Sequence, residues 1–254
     1  MKPFLPTLSS EHGAQIDRLL TLEHVLIALI ILGWLIYFVY VLIRFRKKRQ
    51  PVANPAGARS HAAHVVEICV FSVEAGLLIF LSIPFFTRQV TALREPGPAE
   101  VQVRVVAQQF AWTMHYPGAD GVFGTARAEL VNDVANPLGL DPEDPQGKDD
   151  IVKRGVLTLP VNQSAMIFLS SKDVIHSFAL PEFRVKQDAI PGIVIPIRFT
   201  PTMTTAEFQA LKGNPERQFE IMCAQLCGMG HFSMRGMVEV LEEEAYAQWL
   251  VDNA

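Results

Sequence analysis

The chain has 254 residues, half of them apolar and 19% charged, and a formal net charge of −4. That length holds one or two domains, the acidic balance argues against nucleic acid, and three cysteines are too few for a disulfide framework. The charge is divided unevenly: residues 1–87 carry 8 basic and 5 acidic groups, net +3, and residues 88–254 carry 14 and 21, net −7.

Residues 1–23 form a short outer segment with no clear chemistry, in which His12 and His24 are incidental. Twenty residues without Asp, Glu, Lys or Arg lie between Glu23 and Arg44, enough for a helix of roughly 30 Å. Twenty-three more lie between His64 and Arg88, interrupted only by Glu67 and Glu74. These predict spans over about 24–45 and 64–87, a transmembrane hairpin. The first span is too long for a cleaved signal peptide, and its basic cluster follows the apolar run. Arg44, Arg46, Lys47, Lys48, Arg49 and Arg59 lie in or beside the loop 46–63, which places that loop in the cytoplasm and both termini outside. Pro51, Pro55 and Gly57 keep it irregular.

Glu67 and Glu74 are seven apart and share a helix face. A carboxylate within a bilayer costs about 3 kcal/mol even on insertion scales, so this face meets protein or water. Glu67, near the cytoplasmic end, also fits a side chain that snorkels to the interface or bonds a partner helix. Cys69 reads as a buried apolar thiol.

Residues 88–98 are a Pro- and Gly-containing linker. Then the period changes: Val101–Val105 alternates, Val156–Leu159 and Ala165–Leu169 are short apolar runs, and Ile193–Phe199, Gln218–Met222 and Arg235–Leu241 follow. Such spacing over 99–243 predicts a β-sandwich or Greek-key barrel. Residues 117–155, with Asn136-Pro137-Leu138-Gly139 and the acidic run from Asp141, read as a surface insertion. The tail 244–254 reads as a short helix anchored by Trp249.

The densest chemistry lies between the last two strands, where Cys223, Cys227, His231 and Met234 follow the spacing Cys-x3-Cys-x3-His-x2-Met. Thiolate, imidazole and thioether are the donors that copper favours, with no carboxylate among them to suit a hard cation. His176, in Val174-Ile175-His176-Ser177-Phe178, is the best upstream candidate for a further ligand. Two thiolates, two imidazoles and a thioether exceed a tetrahedral zinc site and a mononuclear blue-copper site. The set closes if both thiolates bridge two coppers, each with one histidine, while Met234 and a loop carbonyl complete the two sides. In an oxidising compartment the competing reading of the two cysteines is a disulfide. Taken singly, His176 also fits a satisfied surface histidine and Met234 a core filler.

This loop, His176-Ser177-Phe178-Ala179-Leu180-Pro181 and Lys186-Gln187-Asp188-Ala189-Ile190-Pro191-Gly192 together resemble subunit II of haem–copper cytochrome oxidases. The resemblance runs from the first span to about residue 241. It implies an N-terminal two-helix transmembrane hairpin followed by an all-β, cupredoxin-like Greek-key barrel in the bacterial inner membrane, with the copper domain periplasmic. It implies a binuclear CuA centre with His176 and Met234 on one copper, His231 and the Gln225 carbonyl on the other, and Cys223 and Cys227 bridging. It further implies electron transfer from a periplasmic carrier such as a cytochrome c to haem in catalytic subunit I of a proton-pumping terminal oxidase, with further membrane subunits and no oxygen-reducing site on this chain. Asp188 then becomes a candidate for hydrogen bonds near the subunit interface, although an ordinary turn-capping Asp reads the same.

The chain departs from the family's pattern in three places. Gln225 stands where a Glu usually binds magnesium, and a neutral amide is a poor ligand for that ion, so magnesium is not predicted. In the aromatic stretch Gln109-Phe110-Ala111-Trp112, Phe110 takes the usual electron-entry Trp position and Trp112 matches the second Trp. At Glu67 the family's accompanying Trp, Thr and Pro are absent, which weakens its reading as a proton-entry residue. No Cys-x-x-Cys-His haem segment follows, so the expected donor is a separate protein. The copper subunit of a nitric oxide reductase shares the ligand set. From a different class, a membrane-anchored copper-delivery or thiol-redox protein also carries Cys-x3-Cys, but has no use for His231 and Met234.

Overall fold

The structure, a computed structural model, describes residues 5–52, 61–92, 97 and 100–254. Pro55, Gly57 and Arg59, and residues 93–96 and 98 of the expected linker, lie outside the described residues, while 88–92 continue a helix and are not linker. The chain divides into two units, one of Asp17–Arg94 and one of Glu95–Ala254 with the residues up to Ile16.

The helical unit holds α1 (Gly13–Arg44), α2 (His61–Leu77) and α3 (Ile83–Ala92), the last two joined by a π turn over Leu78–Ser82. Pro84 accounts for that turn. It has no N–H, and its ring clashes with a carbonyl four residues back, so the helix widens and the Ile83 N–H bonds the Leu78 carbonyl. Gly13–Arg44 and His61–Arg88 are both long and apolar enough to cross a membrane. Their Leu, Ile, Val and Phe side chains point outward all round, at exposures such as 62% for Leu29 and 76% for Phe80. Helices apolar on every face suit a hydrocarbon solvent, in which backbone groups bond within the helix.

Among the described residues the second unit is a sandwich of ten strands. These are β1 (Val101–Gln108), β2 (Ala111–Tyr116), β3 (Ile151–Arg154), β4 (Val156–Pro160), β5 (Ala165–Ser171), β6 (His176–Leu180), β7 (Val185–Ala189), β8 (Ile195–Phe199), β9 (Phe219–Cys223) and β10 (Arg235–Leu241). One sheet runs β3-β2-β1-β5-β8 and the other β4-β10-β9-β6-β7. β1 pairs with β5 and β4 with β10 in parallel, and the other neighbours are antiparallel. The period-two pattern explains the core: Val103 and Val105 of β1, Ile167 of β5 and Val238 of β10 are all fully buried, because alternate side chains share one face. Tyr116 joins the sheets, its hydroxyl accepting from Thr158 N at 2.7 Å and donating to Thr158 O at 3.1 Å.

Several elements were not legible from the pattern. β2 turns Trp112, Met114 and Tyr116 inward and Thr113 and His115 outward, yet all five are buried. β7 carries its apolar residues only at its ends. The helix α4 (Thr205–Lys212) starts on a capping box between Thr204 and Glu207 and stacks Phe208 on Phe219 with ring centres 4.2 Å apart. The segment 1–23 is not idle. Ser9 N donates to Glu182 O, Thr202 N donates to Ser9 O, both at 2.9 Å, and the Ser10 hydroxyl donates to Phe183 O at 2.6 Å, so residues 5–16 strap the sandwich before α1 leaves it. The tail forms the helix α5 (Glu243–Asn253), with Trp249 against Tyr116 at 5.0 Å.

The insertion ends at Asp150, because Ile151–Arg154 is an edge strand and not loop. It is anchored on the outer face of the first sheet. Phe123 packs on His115 and on the Arg104 guanidinium, at 5.0 and 4.1 Å. Asp150 Oδ2 accepts from His115 Nε2 at 2.6 Å and from Gly124 N at 2.8 Å. A second anchor is Lys172, whose Nζ donates to Gln108 Oε1, Asp133 Oδ1 and Pro137 O at 2.7–3.1 Å.

Candidate metal centre

Strand pairing builds the site. Phe178 of β6 lies opposite Cys223 of β9, and Ala224 N donates to Ser177 O at 2.9 Å. His176, at the start of β6, therefore stands beside the end of β9. The loop from β9 to β10 returns through one 3₁₀ turn, His231–Ser233, while Cys223 N donates to Met234 O. Four ligand-bearing residues are thus mounted on two paired strands and one short turn.

The Cys223 and Cys227 sulfurs lie 3.7 Å apart and are not bonded to each other. His176 Nδ1 is 4.0 Å from Cys223 Sγ, and the Gln225 carbonyl is 3.1 Å from the same sulfur. His231 Nδ1 is 3.6 Å and Met234 Sδ 3.7 Å from Cys227 Sγ. Donor atoms of His176, Cys223 and Cys227 lie within 4.8 Å of one another. The structure thus brings together all six groups that sequence reading singled out. Both sulfurs can reach one ion at a thiolate–metal distance of about 2.3 Å. The donors in contact with the sulfurs are nitrogen, sulfur and a carbonyl, a soft set that fits copper and not a hard cation. Burial raises the Cys227 thiol to about 11, and the neighbouring Cys223 adds to this. The thiol is therefore protonated near neutrality, and a metal must displace its proton on binding.

The surroundings hold this shape. Gly228 has φ +138 and Gly230 lies under the Phe110 ring, where an added Cβ would clash with Cδ2. Gly230→Ala is expected to push that ring aside and destabilise the domain by about 1–3 kcal/mol, with slower copper uptake than wild type in stopped-flow absorbance. Unchanged uptake and melting would show that the ring has room to move.

The other predicted positions separate. Trp112 is fully buried, its ring 6.1 Å from His176 and 5.4 Å from Phe178. It offers no surface of its own, and Phe110, half-buried over the loop, is the outer aromatic of the pair. Asp188 is exposed on β7, whereas the carboxylate on His176 is Asp173, at 2.8 Å from Nε2. Partial burial raises the Asp173 carboxyl, but hydrogen bonds from His176, Gln109 and Val174 outweigh it and hold it below its usual range. The Asp-x-x-His spacing was the signal that could have found it. Glu67 lies on α2, exposed within its unit, with His64 Nδ1 3.9 Å away. Around the loop Leu226, Met229 and Phe232 are 77%, 94% and 81% exposed.

Residues 101–241, more than half of the chain, match the family model for the periplasmic domain of cytochrome c oxidase subunit II. The chain belongs to the cytochrome c oxidase subunit II family. Among its relatives, the alternative cytochrome c oxidase subunit 2 of Bradyrhizobium diazoefficiens is 37% identical over 155 residues, 60% of this chain and 51% of that one. Cytochrome c oxidase subunit 2 of Cereibacter sphaeroides is 28% identical over 241 residues, 89% of this chain and 72% of that one. The chain thus spans about half the length of the first of these subunit II proteins. The crystal structure of the periplasmic domain of subunit II from Bradyrhizobium japonicum is similar at 27% identity and a TM-score of 0.41, covering 62% of this chain and 95% of that one. The sandwich after two apolar helices is the cupredoxin-like architecture that membership of the subunit II family implies.

Proposed function

We propose that this subunit II chain is the electron-transfer subunit of a respiratory haem–copper oxidase, taking single electrons from a periplasmic carrier and passing them to haem in a partner subunit. The observation that carries this reading is the convergence of Cys223, Cys227, His176, His231, Met234 and the Gln225 carbonyl on two unbonded sulfurs. Two coppers sharing both thiolates would supply a one-electron carrier whose charge change is spread over two ions. His176 and Met234 would hold one ion and His231 and the Gln225 carbonyl the other. The protein's part is rigidity: β6, β9 and β10 fix the donors, and burial of His176, Cys227 and Met234 at 0%, 4% and 1% exposure keeps water away. Little then rearranges when charge changes.

The exposed apolar side chains Leu226, Met229 and Phe232 suit a seat on the haem-bearing subunit. The basic residues after α1 support a cytoplasmic loop and a periplasmic copper domain. The full-length chain, purified in detergent and loaded with copper, is expected to hold two coppers and show a seven-line electron paramagnetic resonance pattern. A four-line pattern from one copper, or a Cys223–Cys227 disulfide that resists loading, would end the reading. The haems and acceptor of the co-purifying membrane subunit separate an oxygen-reducing complex from a nitric oxide reductase.

Proton entry at Glu67 has its own test. Glu67→Gln in the assembled complex is expected to slow turnover several-fold while copper reduction stays at wild-type speed. Wild-type turnover would remove Glu67 from the proton path.

A further inference from the structure

Two residues outside the ligand set, Asp173 and Gln109, tie the site's separate arms together. The Asp173 carboxylate is divided: Oδ1 accepts from His176 Nε2 at 2.8 Å and from Val174 N at 2.7 Å, and Oδ2 accepts from Gln109 N at 2.7 Å. The Gln109 side chain then donates Nε2 to the Cys227 carbonyl at 2.6 Å. A carboxylate only accepts, so the His176 proton sits on Nε2 and the Nδ1 lone pair faces the sulfurs. His176 is fully buried, while the Asp173 side chain is 32% exposed. The network crosses from the segment before β6, through the turn after β1, to the loop after β9, elements far apart in sequence. His231 has no such support: among the described residues nothing accepts from its Nε2, and its ring is half-buried.

We propose that Asp173 and Gln109 are positioning residues, a bracket that sets the His176 tautomer and the Cys227 end of the loop as one unit before any metal enters. The bracket makes the two sides of the centre unequal. The His176 side is preformed, and the His231 side orders on loading. This deepens the copper reading and rests on it, but its first readout needs no metal.

The test uses the full-length, metal-free chain in detergent with ¹⁵N-labelled histidine. Wild type is expected to show His176 as a single tautomer protonated on Nε2. Asp173→Asn keeps an oxygen acceptor and should retain that tautomer with a shifted Nε2–H resonance, whereas Asp173→Ala should give a mixture. Copper affinity should fall about 10–100-fold in Asp173→Ala and in Gln109→Ala. In the double variant it should fall little further than in the weaker single variant, because both act through one network. An Nδ1–H tautomer in wild type, an unshifted resonance in Asp173→Asn, or single losses that multiply in the double variant would overturn the bracket. Should Asp173→Ala fail to fold, wild type and Asp173→Asn still decide the tautomer. A correct tautomer in a chain that never shows a binuclear copper signal would sink the copper reading alone.

Discussion

Cys223→Ser in the full-length chain is expected to lower bound copper from two ions to one or none and to abolish the mixed-valence spectrum. A hydroxyl is a harder donor than a thiolate and stays protonated near neutrality, so it cannot bridge two soft ions. Cys223 is also the sulfur that the Gln225 carbonyl and His176 both approach, at 3.1 and 4.0 Å, so its loss removes a donor shared by both sides. Met234→Leu is the matching control. It removes a weak thioether donor from a site buried to 1% exposure with a side chain of similar volume, so it should keep both coppers and shift the reduction potential. Copper analysis with electron paramagnetic resonance decides both. A mixed-valence spectrum retained by Cys223→Ser would contradict the bridging role.

Asp150→Ala should be the most damaging change away from the metal loop. It removes the acceptor from two donors, His115 Nε2 and Gly124 N, and each buried orphan costs about 1–3 kcal/mol. The side chains of His115 and Asp150 are 2% and 0% exposed, which leaves water little access to replace the lost bonds. We expect a loss of about 3 kcal/mol, a lower melting temperature and early protease cleavage within 117–150. Asp150→Asn, which keeps one acceptor oxygen, should lose less. A wild-type melting curve and cleavage pattern for Asp150→Ala would show that this pair does not hold the insertion.

The same pair gives a pH dependence. Burial lowers the His115 pKa from its ordinary 6.5, against the opposing effect of the Asp150 hydrogen bond, while the nearby Arg104 charge lowers it further. The unfolded chain therefore takes up a proton before the folded one does as pH falls. Stability from this group is complete above about 6.5 and declines as pH drops below it toward the folded value. His115→Gln should flatten that decline in melting temperature between pH 7 and pH 5.

Reading the residues in order located much of this molecule because its signals are local. Alternation marked β1, β5 and β10, and unbroken apolar runs marked the two long helices. β6 was missed because both of its faces are covered: all five of its residues are buried, so it lacks the polar alternation of a half-exposed strand. β2 does alternate, Thr113 and His115 against Trp112, Met114 and Tyr116, although the insertion buries its polar face as well. Asp188 drew attention through its motif, while Asp173, in plainer surroundings, makes the contact.

What the chain determined by itself is the kind and spacing of the donors in the metal loop, because a tight turn between two strands holds Cys223, Cys227, His231 and Met234 whatever the rest does. Only the tertiary structure decided that His176, 47 residues from Cys223, joins them, that Trp112 lies beside His176, and that Asp173 and Gln109 link the segments around the site. The physical reason is register. Phe178 must face the core, and with side chains alternating along β6 that fixes the antiparallel pairing with β9 and so the place of His176. No local pattern contains that choice, because it is made by which buried faces meet.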